Sequence, residues 1–113
     1  MSRSITPEQQ KELQQLQQLS QQLTMMNQNY IQMETRKREL ERTIDVMKDM
    51  EEGKEIYRSA GQILFRTDVN ETRNDLKEQL ELLEVRASQS KKQIDELDKR
   101  VKNGEAKLRA SIQ

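Results

Sequence analysis

The sequence contains no cysteine and no histidine, a single proline, three glycines and, as aromatics, only two tyrosines and one phenylalanine. Each absence closes something off. Without cysteine no disulfide can staple the fold, and without cysteine or histidine the commonest metal ligands, the thiol nucleophile and the imidazole base are missing. An enzyme is therefore not expected, and neither a cofactor nor a metal is implied. No run approaches the ~18 continuous apolar residues of a membrane span, and the opening segment MSRSITPEQQ has no apolar signal core. The expected compartment is the cytoplasm. An excess of one charge is also missing: 20 Lys and Arg balance 20 Asp and Glu, which removes any global pull toward nucleic acid or an anionic membrane.

What remains is polar and helix-forming. Of the 113 residues, 35% are charged and only 32% hydrophobic, with a mean hydropathy of -1.10, too little apolar matter for a sizeable globular core. The scarcity of Pro and Gly argues for long helices rather than disorder. The chain is expected to be elongated, one domain over residues 1–113.

TPEQ opens the first helix: Thr6 can cap, Pro7 suits the first helical position, and Gln9 stands where a capping box wants Glu or Gln. From there Leu16, Leu19, Leu23, Met26, Tyr30, Met33, Lys37, Leu40, Ile44 and Met47 follow at alternating steps of three and four, a heptad seam broken only by Lys37. Gly53 offers a stop, giving a helix over residues 7–52. A second seam runs Leu76, Leu80, Leu83, Ala87, Ser90, Ile94, Leu97, Val101, Gly104, Leu108, in a helix over residues 69–112 capped by Asp68 with Glu71 three residues on. At ~1.5 Å per residue the two would be matched in length, each about 60 to 70 Å.

Matched seams about a central break predict a mainly α fold, an antiparallel two-helix coiled coil in one chain. With the fold point near Gly61, Met47 lies beside Leu76, Ile44 near Leu80, Leu40 near Leu83, Leu23 near Val101 and Leu13 near Leu108. Lys37 then meets Ala87, and Tyr30 meets Ser90 and Ile94, leaving the middle the weakest-packed part.

Between the helices lies EIYRSAGQILFRTD, with no helical period. Ile56 and Tyr57, then Gly61 as the turn residue, then Ile63, Leu64 and Phe65 predict a β-hairpin over residues 55–67. An isolated two-stranded hairpin is marginal in water, and this one carries apolar residues on both faces. With the other apolar residues committed to the seams, it is expected to pair through its edges with other subunits. A connecting loop covering the end of the coiled coil is the alternative.

Helix, hairpin and helix around IYRSAGQILFR, followed by the Leu-rich DLKEQLELLEVR, resemble a beta-class prefoldin subunit over essentially the whole chain. The resemblance implies a hexamer of two alpha-class and four beta-class subunits whose hairpins close an inter-subunit β-barrel. It implies an ATP-independent chaperone that holds unfolded polypeptides at the free ends of its coiled coils and passes them to a group II chaperonin. Ile56, Tyr57, Gly61, Ile63, Leu64 and Phe65 are then the assembly hairpin, and residues near both termini correspond to the ends that hold clients.

The residues themselves offer support for such ends. Between Glu12 and Glu34 there is no charged residue: LQQLQQLSQQLTMMNQNYIQM. Leu13, Leu16, Leu19 and Leu23 are flanked by Gln, while Met25, Met26 and Met33 add flexible, polarisable side chains suited to varied apolar partners. Across from them lie Leu108, Ala110 and Ile112, with Gly104 expected to loosen the last turns. The client-contacting candidates are Ile5, Leu13, Leu16, Leu19, Leu108 and Ile112. A Leu and Met stripe at heptad spacing is equally what a coiled-coil core looks like, and for residues 16–33 both readings stand.

Other signals fall away. Asp68, Asn70 and Thr72 imitate the start of an EF-hand loop, but its sixth position is Arg73 instead of Gly and its twelfth Gln79 instead of Glu. The Asn70 acceptor sequence needs a secretory route, and the basic run Arg36 to Arg38 is flanked by Glu34, Glu39 and Glu41 as a solvated face would be. A coiled-coil adaptor or tether remains the alternative function, one with little use for an apolar two-faced hairpin.

Overall fold

The computed structural model describes residues 5–112, in the order α1 (Pro7–Met47), β1 (Glu55–Ala60), β2 (Ile63–Asp68) and α2 (Val69–Ile112). Contacts divide the chain into two compact units. One joins the chain up to Ile31 with the chain from Ser88 onward; the other is Gln32–Ala87. In each unit a stretch of α1 lies antiparallel to a stretch of α2.

Unit Gln32–Ala87 holds the hairpin and a small core. Leu40, Met47, Val69 and Leu76 are buried together, with Ile44, Ile56, Leu80 and Leu83 packed against them. Every seam position read from the heptad pattern, in both units, is buried or half-buried, because a 3-4 repeat keeps one stripe of each helix facing its partner. Lys37 is half-buried at its seam position; a long aliphatic stem allows this while its ammonium reaches water.

Helix α1 starts as expected. Thr6 Oγ1 accepts the Gln9 N–H at 3.1 Å and Gln9 Oε1 accepts the Thr6 N–H at 3.0 Å, the reciprocal pair of a capping box. Its end differs from expectation: the helix stops at Met47, not near residue 52. The Lys48 and Met50 N–H groups bond back only three residues, to Asp45 and Met47, and the Arg73 guanidinium from α2 donates to the Met47 and Met50 carbonyls at 2.5 and 3.1 Å. A cation on the last carbonyls favours termination there, since α1 has no basic residue of its own in that turn. Gly53, with φ +76, therefore belongs to a separate turn closed by Lys54 N–H on Glu51 O.

The hairpin pairs β1 with β2 antiparallel, from Ala60 opposite Ile63 out to Glu55 opposite Asp68. Two residues connect them. Gly61 stands at φ +62, the left-handed value that the first central position of such a tight turn requires and that only glycine adopts without strain. Asp68 then caps α2, its Oδ1 accepting the Glu71 N–H at 2.7 Å.

Unit Met1–Ile31 with Ser88–Gln113 places Gln9 against Ser111, whose carbonyl accepts from Gln9 Nε2 at 3.1 Å. Lys91 lies over the Tyr30 ring with Nζ 5.9 Å from its centroid, between the expected neighbours Ser90 and Ile94. Helix α2 continues through Gly104 to Ile112. A Cβ at that position would stand 3.0 Å from Leu16 Cδ1, so the absent side chain is what lets Leu16 approach.

Candidate assembly and client-contact surfaces

Alternation along the strands sorts the hairpin into two faces. Ile56, Arg58, Ala60, Ile63, Phe65 and Thr67 share one; Glu55, Tyr57, Ser59, Leu64, Arg66 and Asp68 share the other, since cross-strand partners lie on the same side. The first face is anchored at its base. Ile56 packs into the buried core, and Arg58 reaches α2 in a 3.0 Å ion pair with Asp75, which also accepts from Gln79 Nε2.

Ile56 thereby departs from the expected arrangement in which nothing within the chain supports the hairpin. It packs there beside Val69, which follows the Asp68 cap and is fully buried. The remaining apolar residues find no such cover. Leu64 is 72% exposed, Tyr57 and Ile63 67%, and Phe65 42%, so both faces present apolar surface toward the turn.

The strand edges are open as well. Val69 N–H donates to Lys54 O at 3.1 Å, which continues the ladder one pair beyond Glu55 and Asp68 and fixes its phase. Hydrogen-bonded pairs alternate with non-bonded ones, so Ile56, Arg58 and Ala60 bond across to β2, whereas Tyr57, Ser59, Leu64 and Arg66 direct their backbone N–H and C=O outward. In a sheet of two strands both edges are templates for a further strand.

The second candidate surface lies in the other unit. Ile5 and Ile112 are exposed, while Leu13, Leu16, Leu19 and Leu108 are half-buried. Leu16 and Leu19 line a groove with Gly104, Glu12, Gln15 and Lys107. Further along, Met26 and Leu97 share a second groove with Gln22, Gln93, Glu96 and Arg100. Met25 and Ile31 are exposed on the uncharged stretch of α1. The heptad pattern places Leu16 and Leu19 on the seam, and the structure leaves each with part of its surface in solvent.

Sequence reasoning missed Arg73 and Val69. Both fall on the second seam when it is extended back from Leu76 by steps of three and four, but a charged residue at the intermediate step hides the continuation.

Among the described residues there is no group of His, Cys, Asp or Glu able to hold a metal, and no helix is long and apolar enough to cross a membrane. Lys102 has its pKa raised by its 2.9 Å bond to Asp98 and by the Asp98 charge, the reverse of the shift a lysine nucleophile needs.

Comparison with known proteins gives a consistent picture. The family described as "Prefoldin subunit" matches residues 10–113. The prefoldin subunit beta of Methanococcoides burtonii is 30% identical over 99% of this chain and 96% of its own length, and that of Methanothrix thermoacetophila is 30% identical over 99% and 93%. The crystal structure of the prefoldin beta subunit from Thermococcus strain KS-1 superposes with a TM-score of 0.86 at 24% identity, covering 99% of this chain and 98% of that one. Its likeness extends to the arrangement of two long helices about a central antiparallel hairpin.

Proposed function

Since the chain belongs to the prefoldin subunit family, whose members are chaperone subunits rather than enzymes, we propose that it is a beta-class subunit that binds unfolded polypeptides without ATP and delivers them to a group II chaperonin. It works within a complex with other prefoldin subunits. In this reading two alpha-class and four beta-class chains join through their hairpins in the cytoplasm. Tyr57, Ile63, Leu64 and Phe65 are buried on assembly, Gly61 forms the turn, and Ile56 anchors the strands to their own chain. Ile5, Leu13, Leu16, Leu19, Leu108 and Ile112 supply contacts to clients.

The observation that carries the assembly half is the anchored but uncovered hairpin, apolar on two faces and open at two edges. Four large exposed apolar side chains on twelve strand residues are costly in water and gain when a neighbour covers them. The client half rests on half-exposed leucines beside a long uncharged stretch. An adaptor that only tethers other proteins would make no use of either.

The test is aggregation of a chemically denatured enzyme diluted into buffer with the assembled complex and no nucleotide. Suppression of light scattering at near-stoichiometric complex is expected. Scattering unchanged by the complex, or reduced only when ATP is added, contradicts the proposal.

A further inference from the structure

Of the five asparagines in the sequence, Asn27, Asn29, Asn70, Asn74 and Asn103, only Asn103 is followed by glycine. An Asn-Gly pair carries its own reaction. Once the Gly104 N–H gives up its proton to a base, its nitrogen can attack Asn103 Cγ; the Cγ–Nδ2 bond breaks, ammonia leaves and a five-membered cyclic imide closes. Water then opens the imide at either carbonyl, leaving aspartate, or isoaspartate with the chain running through Cβ and Cγ. The sum is asparagine plus water giving a carboxylate plus ammonia, with no oxidant or reductant. Glycine suits the step because no Cβ crowds its nitrogen or restricts its backbone.

Helix α2 holds the pair out of reaction. Both residues lie inside it, with Ile112 as its last residue. Helical geometry spends the Gly104 N–H on the Arg100 carbonyl, and a helical ψ at Asn103 keeps its side-chain carbonyl carbon away from that nitrogen. Leu16 from α1 adds a second closure over half-buried Gly104, since its Cδ1 would stand only 3.0 Å from a Cβ there. The opposing influence is local: glycine inside a helix weakens it relative to alanine, and stretches near a chain end open at low cost. Asn103 itself is exposed, so water and base reach it as soon as the backbone opens.

We propose that Asn103-Gly104 is a latent modification site, closed by α2 packed on Leu16 and converted to aspartate and isoaspartate in proportion to how often that stretch opens. Isoaspartate puts one extra carbon into the backbone, which breaks the helical hydrogen-bond register. Conversion in that form makes a transient opening permanent. It releases the chain from Gly104 onward, including the bond from Gln9 to the Ser111 carbonyl. The reaction needs neither a client nor a partner subunit, so it stands apart from the function proposed above.

The experiment incubates the full-length chain, its Leu16→Ala variant and a free peptide of residues 99–108 in the same mildly alkaline buffer. Peptide mapping by mass spectrometry, with isoaspartyl methyltransferase labelling, reads the carboxylate formed at each asparagine. The free peptide sets the rate of the open pair. The full-length chain is expected to convert at Asn103 ahead of its other asparagines, yet at least about tenfold more slowly than the peptide, the protection of a site open less than a tenth of the time. Leu16→Ala leaves the pair and its neighbours in α2 unchanged and is expected to raise that rate several-fold. In the isoaspartate form, isolated by chromatography, amide hydrogen exchange from Gly104 to Ile112 should be faster. Conversion at the peptide's rate, a rate unmoved by Leu16→Ala, or an intact Asn103 after many peptide half-lives each overturns the closed site. Unchanged hydrogen exchange in the isoaspartate form overturns its effect on the helix.

Discussion

Two residues that the heptad pattern obscures decide how the hairpin is held. Val69 is the most completely buried side chain among the described residues, at 0% exposure, and Arg73 ties the end of α1 to α2 through the Met47 and Met50 carbonyls. Replacing Val69 by alanine removes two buried carbons and is expected to cost about 2 kcal/mol. Arg73→Met keeps the stem but removes charge-assisted bonds, for a loss of about 2 kcal/mol, tempered by relief of the buried, unpartnered Arg73 Nε. Urea unfolding followed by circular dichroism measures both; an unchanged midpoint for either contradicts the role given to it. Most seam positions were readable from spacing alone, since a 3-4 repeat has one geometric meaning. Val69 and Arg73 were not, because a charge at a seam position reads as a break, and only the structure shows that charge spent on helix-end carbonyls. At Gly104 helix propensity predicts loosening, and the sequence does not reveal that Leu16 packs over the position.

At the level of elements, the hairpin was legible because its apolar residues alternate without helical period around a glycine that matches a two-residue turn. Its anchoring was not, because half-buried Ile56 packs against a cluster drawn from both helices, Leu40, Met47, Val69 and Leu76. The end of α1, at Met47, escaped the sequence because Gly53 is the visible stop signal while the actual cap arrives from a residue far along the chain. The distinction between anchor and free surface yields a paired prediction. Leu64→Asp and Phe65→Asp place a carboxylate on surface that the proposed assembly would desolvate, so both should block assembly at the cost of an unpaired buried charge while the isolated chain keeps its helix content. Ile56→Asp places the carboxylate in the chain's own core, so it should lower the stability of the isolated chain as well. Sedimentation velocity with the partner subunit, beside circular dichroism of the chain alone, separates the two classes. Normal assembly of both Leu64→Asp and Phe65→Asp shows that the hairpin stays exposed.

For the whole molecule, assembly and client contact are assigned to different parts of the sequence, and that separation is itself testable. Deleting residues 1–15 and 105–113 removes Ile5, Leu13, Leu108 and Ile112 and leaves the hairpin and its core intact. Such a truncated chain should still enter the complex while capturing denatured protein several-fold less well, as measured by aggregation suppression. Loss of the complex on truncation means that the assembly surface has been misplaced. On the proposed reading the anchored, uncovered hairpin is completed by other subunits, and light scattering on a mixture of this chain with an alpha-class prefoldin partner measures that completion. A single species with the mass of two alpha and four beta chains, lost on Leu64→Asp, is the predicted result; a stable homodimer whose mass ignores the partner contradicts it.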